Sequence, residues 1–195
     1  MNPFAIVPVA VRHVKKQAIR RILSLRIQML HPSLNSDPTA IWDYGYDDID
    51  AIEIGDKVNV LAYVEISVHK RNRYTPYEGR LILGDGATLA AGANVRAAGG
   101  VISIGPRSGI GQYSVLLAAN HAVKLGVNYF NTPYDESRSG VTIGTNVWVG
   151  AQCVILPGVT IGANALIAAG SVVNRSVPEN QIWAGVPARF VRRIT

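Results

Sequence analysis

From Ile143 to Pro178 the chain divides into six blocks of six residues without a slip: IGTNVW, VGAQCV, ILPGVT, IGANAL, IAAGSV and VNRSVP. Each block opens on an aliphatic leader: Ile143, Val149, Ile155, Ile161, Ile167 and Val173. The second position is mostly Gly or Ala, and the fifth is small or β-branched. A fixed short period means stacked repeats. Six residues are too few for a helix-turn-helix unit, but they suit a short strand with its leader pointing inward and a turn supplied by the second residue. Three blocks make an 18-residue coil, and stacked coils pair their strands in parallel around a core of leaders.

The same rule holds upstream in shorter runs, at Ile54, Val60 and Ile66, at Leu83, Leu89 and Val95, and at Ile104, Ile110 and Leu116. The expected architecture is therefore mainly β: a solenoid of about five coils over residues 51–178, interrupted by loops at 67–82 and 122–140. Residues 1–50 form an N-terminal helix and connector, and 179–195 a C-terminal cap. A low content of charged residues, 16%, fits a chain built of tight turns around an aliphatic interior. The one cysteine, Cys153, falls on an inward position and excludes a disulfide framework or a multi-cysteine metal site.

The net charge of +6 is local. Residues 1–30 hold Arg12, Lys15, Lys16, Arg20, Arg21 and Arg26 and no acid, and the remainder is neutral, which argues against a nucleic-acid-binding domain. Val11, Val14, Ala18, Ile22, Leu25 and Met29 recur at spacings of three and four, one stripe of a helix that His31-Pro32 ends. Two readings stay open. The stripe packs on the main domain, or the helix meets anionic membrane lipid or a polyanionic partner. No apolar run spans a bilayer, and the start MNPFAIVPVAV lacks a basic region, so a cytoplasmic protein without a cleaved signal, at most touching the inner membrane face, is expected.

The repeat breaks just after Asn120-His121, placing a histidine at the edge of a rigid scaffold, where functional groups tend to sit. Imidazole suits proton transfer near neutral pH. Trp148 precedes an inward leader, so it points outward and asks for a partner. Gly150 and Ala168 stand one coil apart in one column (168 − 150 = 18), where small residues leave room for a thin ligand arm.

The block NVWVG…LPGVTIG…AAGSVV…VP…WAGVPAR, over 141–193, resembles the hexapeptide-repeat acyltransferases, above all the maltose, galactoside and polysaccharide O-acetyltransferases. The resemblance implies a left-handed parallel β-helix and a homotrimer with acetyl-CoA as co-substrate in clefts between subunits. It implies His121 as catalytic base, although Ala122 stands where the family usually has proline. Asn94, across a one-residue gap, matches an acceptor-binding Asn, and Asn120 adjoins the base. Trp148, Gly150 and Ala168 fall on the cofactor side, and Arg189 matches an arginine near the nucleotide end of CoA. The expected reaction is direct acetyl transfer to a hydroxyl of a sugar or surface-polysaccharide precursor. A carboxylate or a carbonyl would hold the histidine, with Asp135, Glu136 and Glu65 as the carboxylate candidates, and a backbone N–H near Trp148–Gly150 would meet the oxyanion.

Other acceptors, an amino sugar, an antibiotic or serine, remain open, as does a non-catalytic scaffold. A zinc carbonic anhydrase of this fold needs a second histidine five residues from the first, and positions 116 and 126 are Leu and Gly, so no metal ligands are assigned.

Overall fold

The computed structural model describes residues 9–195, with side chains from residue 18 onward. Short parallel strands wind around a prism with three faces. The first face runs through Asn35–Ser36, Asn59–Val60, Thr88–Leu89, Gly109–Ile110, Trp148–Val149 and Leu166–Ile167. The second runs through Ile41–Tyr44, Glu65–His69, Asn94–Ala98, Val115–Leu117, Val154–Ile155 and Val172–Val173. The third holds Ile52–Ile54, Arg80–Leu83, Val101–Ile104, Val141–Ile143 and Val159–Ile161. The solenoid thus begins at Asn35, and the stretch expected as a connector supplies most of a sixth coil. Glu65–His69 and Arg80–Leu83 likewise run into the interval expected as the first loop, which shrinks to residues 70–79.

The repeat rule holds in the core. Fourteen of the fifteen leaders are buried, and Ile54 is half-buried against them. Fifth positions Val147, Cys153, Val159, Ala165, Ser171 and Val177 are buried too. Leaders from successive coils stack in register, as in Ile110↔Val149↔Ile167.

The turn is made elsewhere than expected. The fourth residue of a block, not the second, takes the left-handed conformation: Lys57, Tyr63, Arg107, Tyr113, Asn146, Gln152 and Asn164 have φ between 55 and 60°. Such a conformation costs an L-residue about 1–2 kcal/mol. Asn is favoured there, and Asn146, Asn164 and Asn180 offset the cost by a side-chain ladder at 2.9 Å per step. The second position is small for a different reason. A Cβ at Gly111 would lie 2.6 Å from Ala151 N, at Gly144 2.7 Å from Ala163 N, and at Gly150 2.5 Å from Ala169 N. Replacing Gly150 by alanine should therefore cost about 1–3 kcal/mol through overpacking. Thermal unfolding should show Tm lower by several degrees; an unchanged Tm would mean that coil stacking does not require the glycine.

Cys153 is fully buried, as its position implied, and burial pushes its thiol above the usual range. A thiol reagent at pH 8 should leave the folded protein unlabelled and modify one cysteine per chain in denaturant. Prompt labelling of folded protein would contradict this packing.

Both ends of the prism are covered. At the C-terminus Gln181–Gly185 joins the first face in parallel and turns back antiparallel into Ala188–Arg193. At the N-terminus α1, Val9–Leu30, lies under the first coil. Leu23 and Ile27 enter the same core as Trp42 and Tyr44, each worth about 1.5–3 kcal/mol. The Tyr44 hydroxyl donates to Leu23 O at 3.1 Å, and Gln28 Nε2 donates to Leu34 O at 2.6 Å. This reverses the packing reading of the helix. Ala18, Ile22, Leu25 and Met29 face away from the core, and the side chains of Val11 and Val14 lie outside those described. The inward face was hidden because, among the described side chains, it carries only Leu23 and Ile27 between polar neighbours.

Candidate active site

The strand Val115–Leu117 ends at the corner between the second and third faces, where the chain leaves the prism. Ala118 and Gly140 close the neck of the loop, with Gly140 N–H donating to Ala118 O at 2.7 Å. Residues 120–122 then pair antiparallel with 133–135. Asp135 N–H donates to Asn120 O at 2.9 Å, and Ala122 N–H to Pro133 O at 2.8 Å. The loop is thus a tied hairpin that fixes the backbone on both sides of His121.

The imidazole is held by backbone and rings. His121 Nδ1 lies 2.9 Å from Thr132 O, and since a carbonyl only accepts, Nδ1 carries the proton in the neutral ring. Nε2 is left with its lone pair. Thr132 is itself buried and tied to Tyr129 O through its N–H at 3.0 Å and its hydroxyl at 2.7 Å. Tyr74 and Tyr134 set their rings edge-on to the imidazole at 4.7 and 4.8 Å, with Phe130 at 6.0 Å. Burial pushes the Tyr134 hydroxyl up, with Tyr74 adding to it.

None of the three expected carboxylates orients the histidine. Asp135 accepts from Ser137 N–H and hydroxyl at 3.1 and 2.6 Å, bonds that hold its carboxyl below the usual range. Glu136 accepts from Thr75 Oγ1 at 3.3 Å. Glu65 accepts from Asn94 Nδ2 at 3.2 Å and faces Arg96 at 3.5 Å. The Thr132 carbonyl takes the role instead. Sequence reading also missed Tyr74, Tyr134 and Phe130, although aromatics gathered in the two expelled loops of a chain only 7% aromatic were a signal. Beside these rings lies a pocket of about 350 Å³ lined by Arg73, Tyr74, Phe130, Asn131 and Pro133.

Of the acceptor candidates, Asn120 is exposed beside His121. Asn94 starts its strand, in register with Val115, so it sits on the second face and away from the corner. The cofactor candidates lie elsewhere. Trp148, 66% exposed, stands on the first face next to Gly109, where a Cβ would meet nothing within 4 Å. The groove there, about 210 Å³, also takes in Arg107 and Asn146. Ala168 follows one coil on, and Arg189, exposed, lies in the hairpin strand at the far end of the same sheet. The room expected at Gly150 is filled by the next coil. The expected oxyanion donors are engaged as well, Trp148 N–H with Ala165 O at 3.0 Å and Gly150 N–H with Ile167 O at 2.8 Å. One chain therefore divides the expected site between two outer surfaces, with the aliphatic core between them.

Comparison with known proteins finds the same repeat and fold elsewhere. The family pattern described as bacterial transferase hexapeptide (six repeats) matches residues 140–175. Galactoside O-acetyltransferase of Escherichia coli is 44% identical over 87 residues, 42% of each chain. A hexapeptide-repeat acetyltransferase of Vibrio cholerae, solved with acetyl coenzyme A, shares 27% identity and a TM-score of 0.60, over 74% of this chain and 72% of that one. An N-acyltransferase of Bacillus cereus, solved with dTDP and coenzyme A, shares the fold at 19% identity and a TM-score of 0.68, over 87% and 88%. The chain spans between 28% and 42% of the length of the curated relatives it matches.

Proposed function

We propose that the chain is a hexapeptide-repeat acyltransferase that moves an acetyl group from acetyl-CoA to a hydroxyl of a sugar or surface-polysaccharide precursor, a reading supported by the repeat match and by its acetyltransferase relatives. The observation that carries this reading is the tethered imidazole, with Nδ1–H on the Thr132 carbonyl and Nε2 free at the edge of a rigid coil. In the proposed step Nε2 takes the acceptor's proton as its oxygen attacks the thioester carbonyl carbon. The tetrahedral intermediate collapses, the C–S bond breaks, and the imidazolium returns the proton to the departing CoA sulfur. Cys153 is sealed in the core, which favours direct transfer over an acyl-enzyme.

The division of the site between two surfaces supports a homotrimer in which His121 of one copy faces the Trp148 and Arg189 surface of the next. There Trp148 would cover the pantetheine arm, and Arg189 would meet a CoA phosphate through its guanidinium fork. The galactoside O-acetyltransferase, 44% identical over the matched residues, supports a hydroxyl acceptor, whereas the N-acyltransferase shares the fold at 19% identity. The test is acetyl-CoA thiol release across a panel of sugars and amino sugars. Turnover only on amino groups would replace the hydroxyl acceptor.

A further inference from the structure

The outward side of α1 leaves an apolar stripe uncovered: Ile22 is 55% exposed, Leu25 57% and Met29 73%, with Ile19 beside them. Leu23 and Ile27 on the opposite side already anchor the helix, so the stripe is not needed for folding. Residues 1–30 contain six basic residues and no acidic one. Between α1 and the corner at residues 36–41 lies a groove of about 710 Å³, lined in part by Arg20, Arg21, Ser24, Gln28, Ser36 and Thr39. Arg20 Nε is buried and has no hydrogen-bond partner among the described residues. The one carboxylate of the groove, Asp37, is occupied by the N–H and hydroxyl of Thr39 at 2.8 and 2.5 Å.

We propose that this end of the prism docks on an anionic bilayer, with the stripe entering the acyl boundary and Arg20 and Arg21 holding lipid phosphate in the groove. The charge balance selects the partner: an apolar stripe beside cations, with no acid in the segment, is complementary to a negatively charged lipid surface. A second copy of this chain is a poorer occupant, because it would bring the same positive charge against itself. The position agrees. His121 and Trp148 lie on the sides of the solenoid and α1 lies under its end, so copies meeting side to side leave the stripe free. The inference does not rest on the acetyl-transfer reading, since membrane binding is measured without turnover.

The experiment is co-sedimentation of the full chain with phosphatidylcholine vesicles, with and without phosphatidylglycerol, at two salt concentrations, alongside solution mass. Wild-type protein should bind only the anionic vesicles and release as salt rises. The exposed pair Ile22→Asp/Met29→Asp should weaken binding at least tenfold, and Arg21→Gln about fivefold, with solution mass unchanged. Absence of binding to anionic vesicles, equal binding to neutral ones, or full binding by the aspartate pair would overturn the proposal. A loss of solution mass in that pair would also overturn it, assigning the face to contact between copies.

Discussion

Replacing His121 by alanine is expected to lower kcat for acetyl transfer by about 10²–10⁴, with little change in KM for acetyl-CoA. The expectation follows from the division of labour in the ring. Nδ1 is committed to Thr132 O at 2.9 Å, so Nε2 is the nitrogen left to accept a proton. The neck and hairpin of the loop are held by backbone hydrogen bonds at Ala118, Asn120 and Ala122, which the substitution leaves in place. The variant should therefore keep its fold, and unfolding curves matching wild type would show it. Release of free CoA thiol is a clean readout, because Cys153 is buried and contributes no background. His121→Gln should lose as much, since an amide cannot accept the proton. Wild-type kcat in either variant would remove the imidazole from the mechanism.

How far the sequence could be read depended on whether a feature repeats. Fifteen leaders, each reporting an inward strand position, left little doubt about a stacked parallel solenoid, and the same logic placed Cys153 in the core. Features that occur once were harder. In the first coil, Asn35–Ile54, the buried Trp42 and Tyr44 take the places that Ile66 and Val68 hold one coil on, so it lacks the aliphatic block pattern and read as a connector. The helix carries apolar residues on two sides, and periodicity shows that a stripe exists without showing which side meets the core. At the site, the histidine and the broken repeat were visible. Its orienting partner was not, because a backbone carbonyl has no signature in residue type. The distinction between second and fourth block positions was invisible for a similar reason: Gly at Gly150 excludes a Cβ from the neighbouring coil, whereas Gly at Gly158 supplies a left-handed φ of 77°.

Two inactive variants are expected to restore activity when mixed. On the proposed arrangement each site takes His121 from one copy and Trp148 from its neighbour. His121→Ala removes the base. Trp148→Glu removes the exposed ring and sets a charged carboxylate where the pantetheine arm would lie, so KM for acetyl-CoA should rise at least tenfold through lost contact and the cost of desolvating the charge. At limiting acetyl-CoA each variant alone should be nearly silent. In randomly mixed assemblies, a site works when the first copy carries an intact His121 and the second an intact Trp148. That combination arises at about a quarter of interfaces in a closed ring with head-to-tail contacts. Co-expressed and co-purified protein should therefore recover roughly a quarter of wild-type activity per chain, while the same proteins mixed after assembly should recover none until subunits exchange. Recovery no greater than the sum of the single variants would place the working Trp148 and His121 in the same copy, or show that one of them is not used. The three-faced prism makes shared sites the stronger expectation. Trp148 stands on the first face and His121 at the corner of the other two, with the buried leaders Leu116 and Val149 between them. That separation within one chain is why the proposed site draws on a second copy, and the mixing experiment reads it directly.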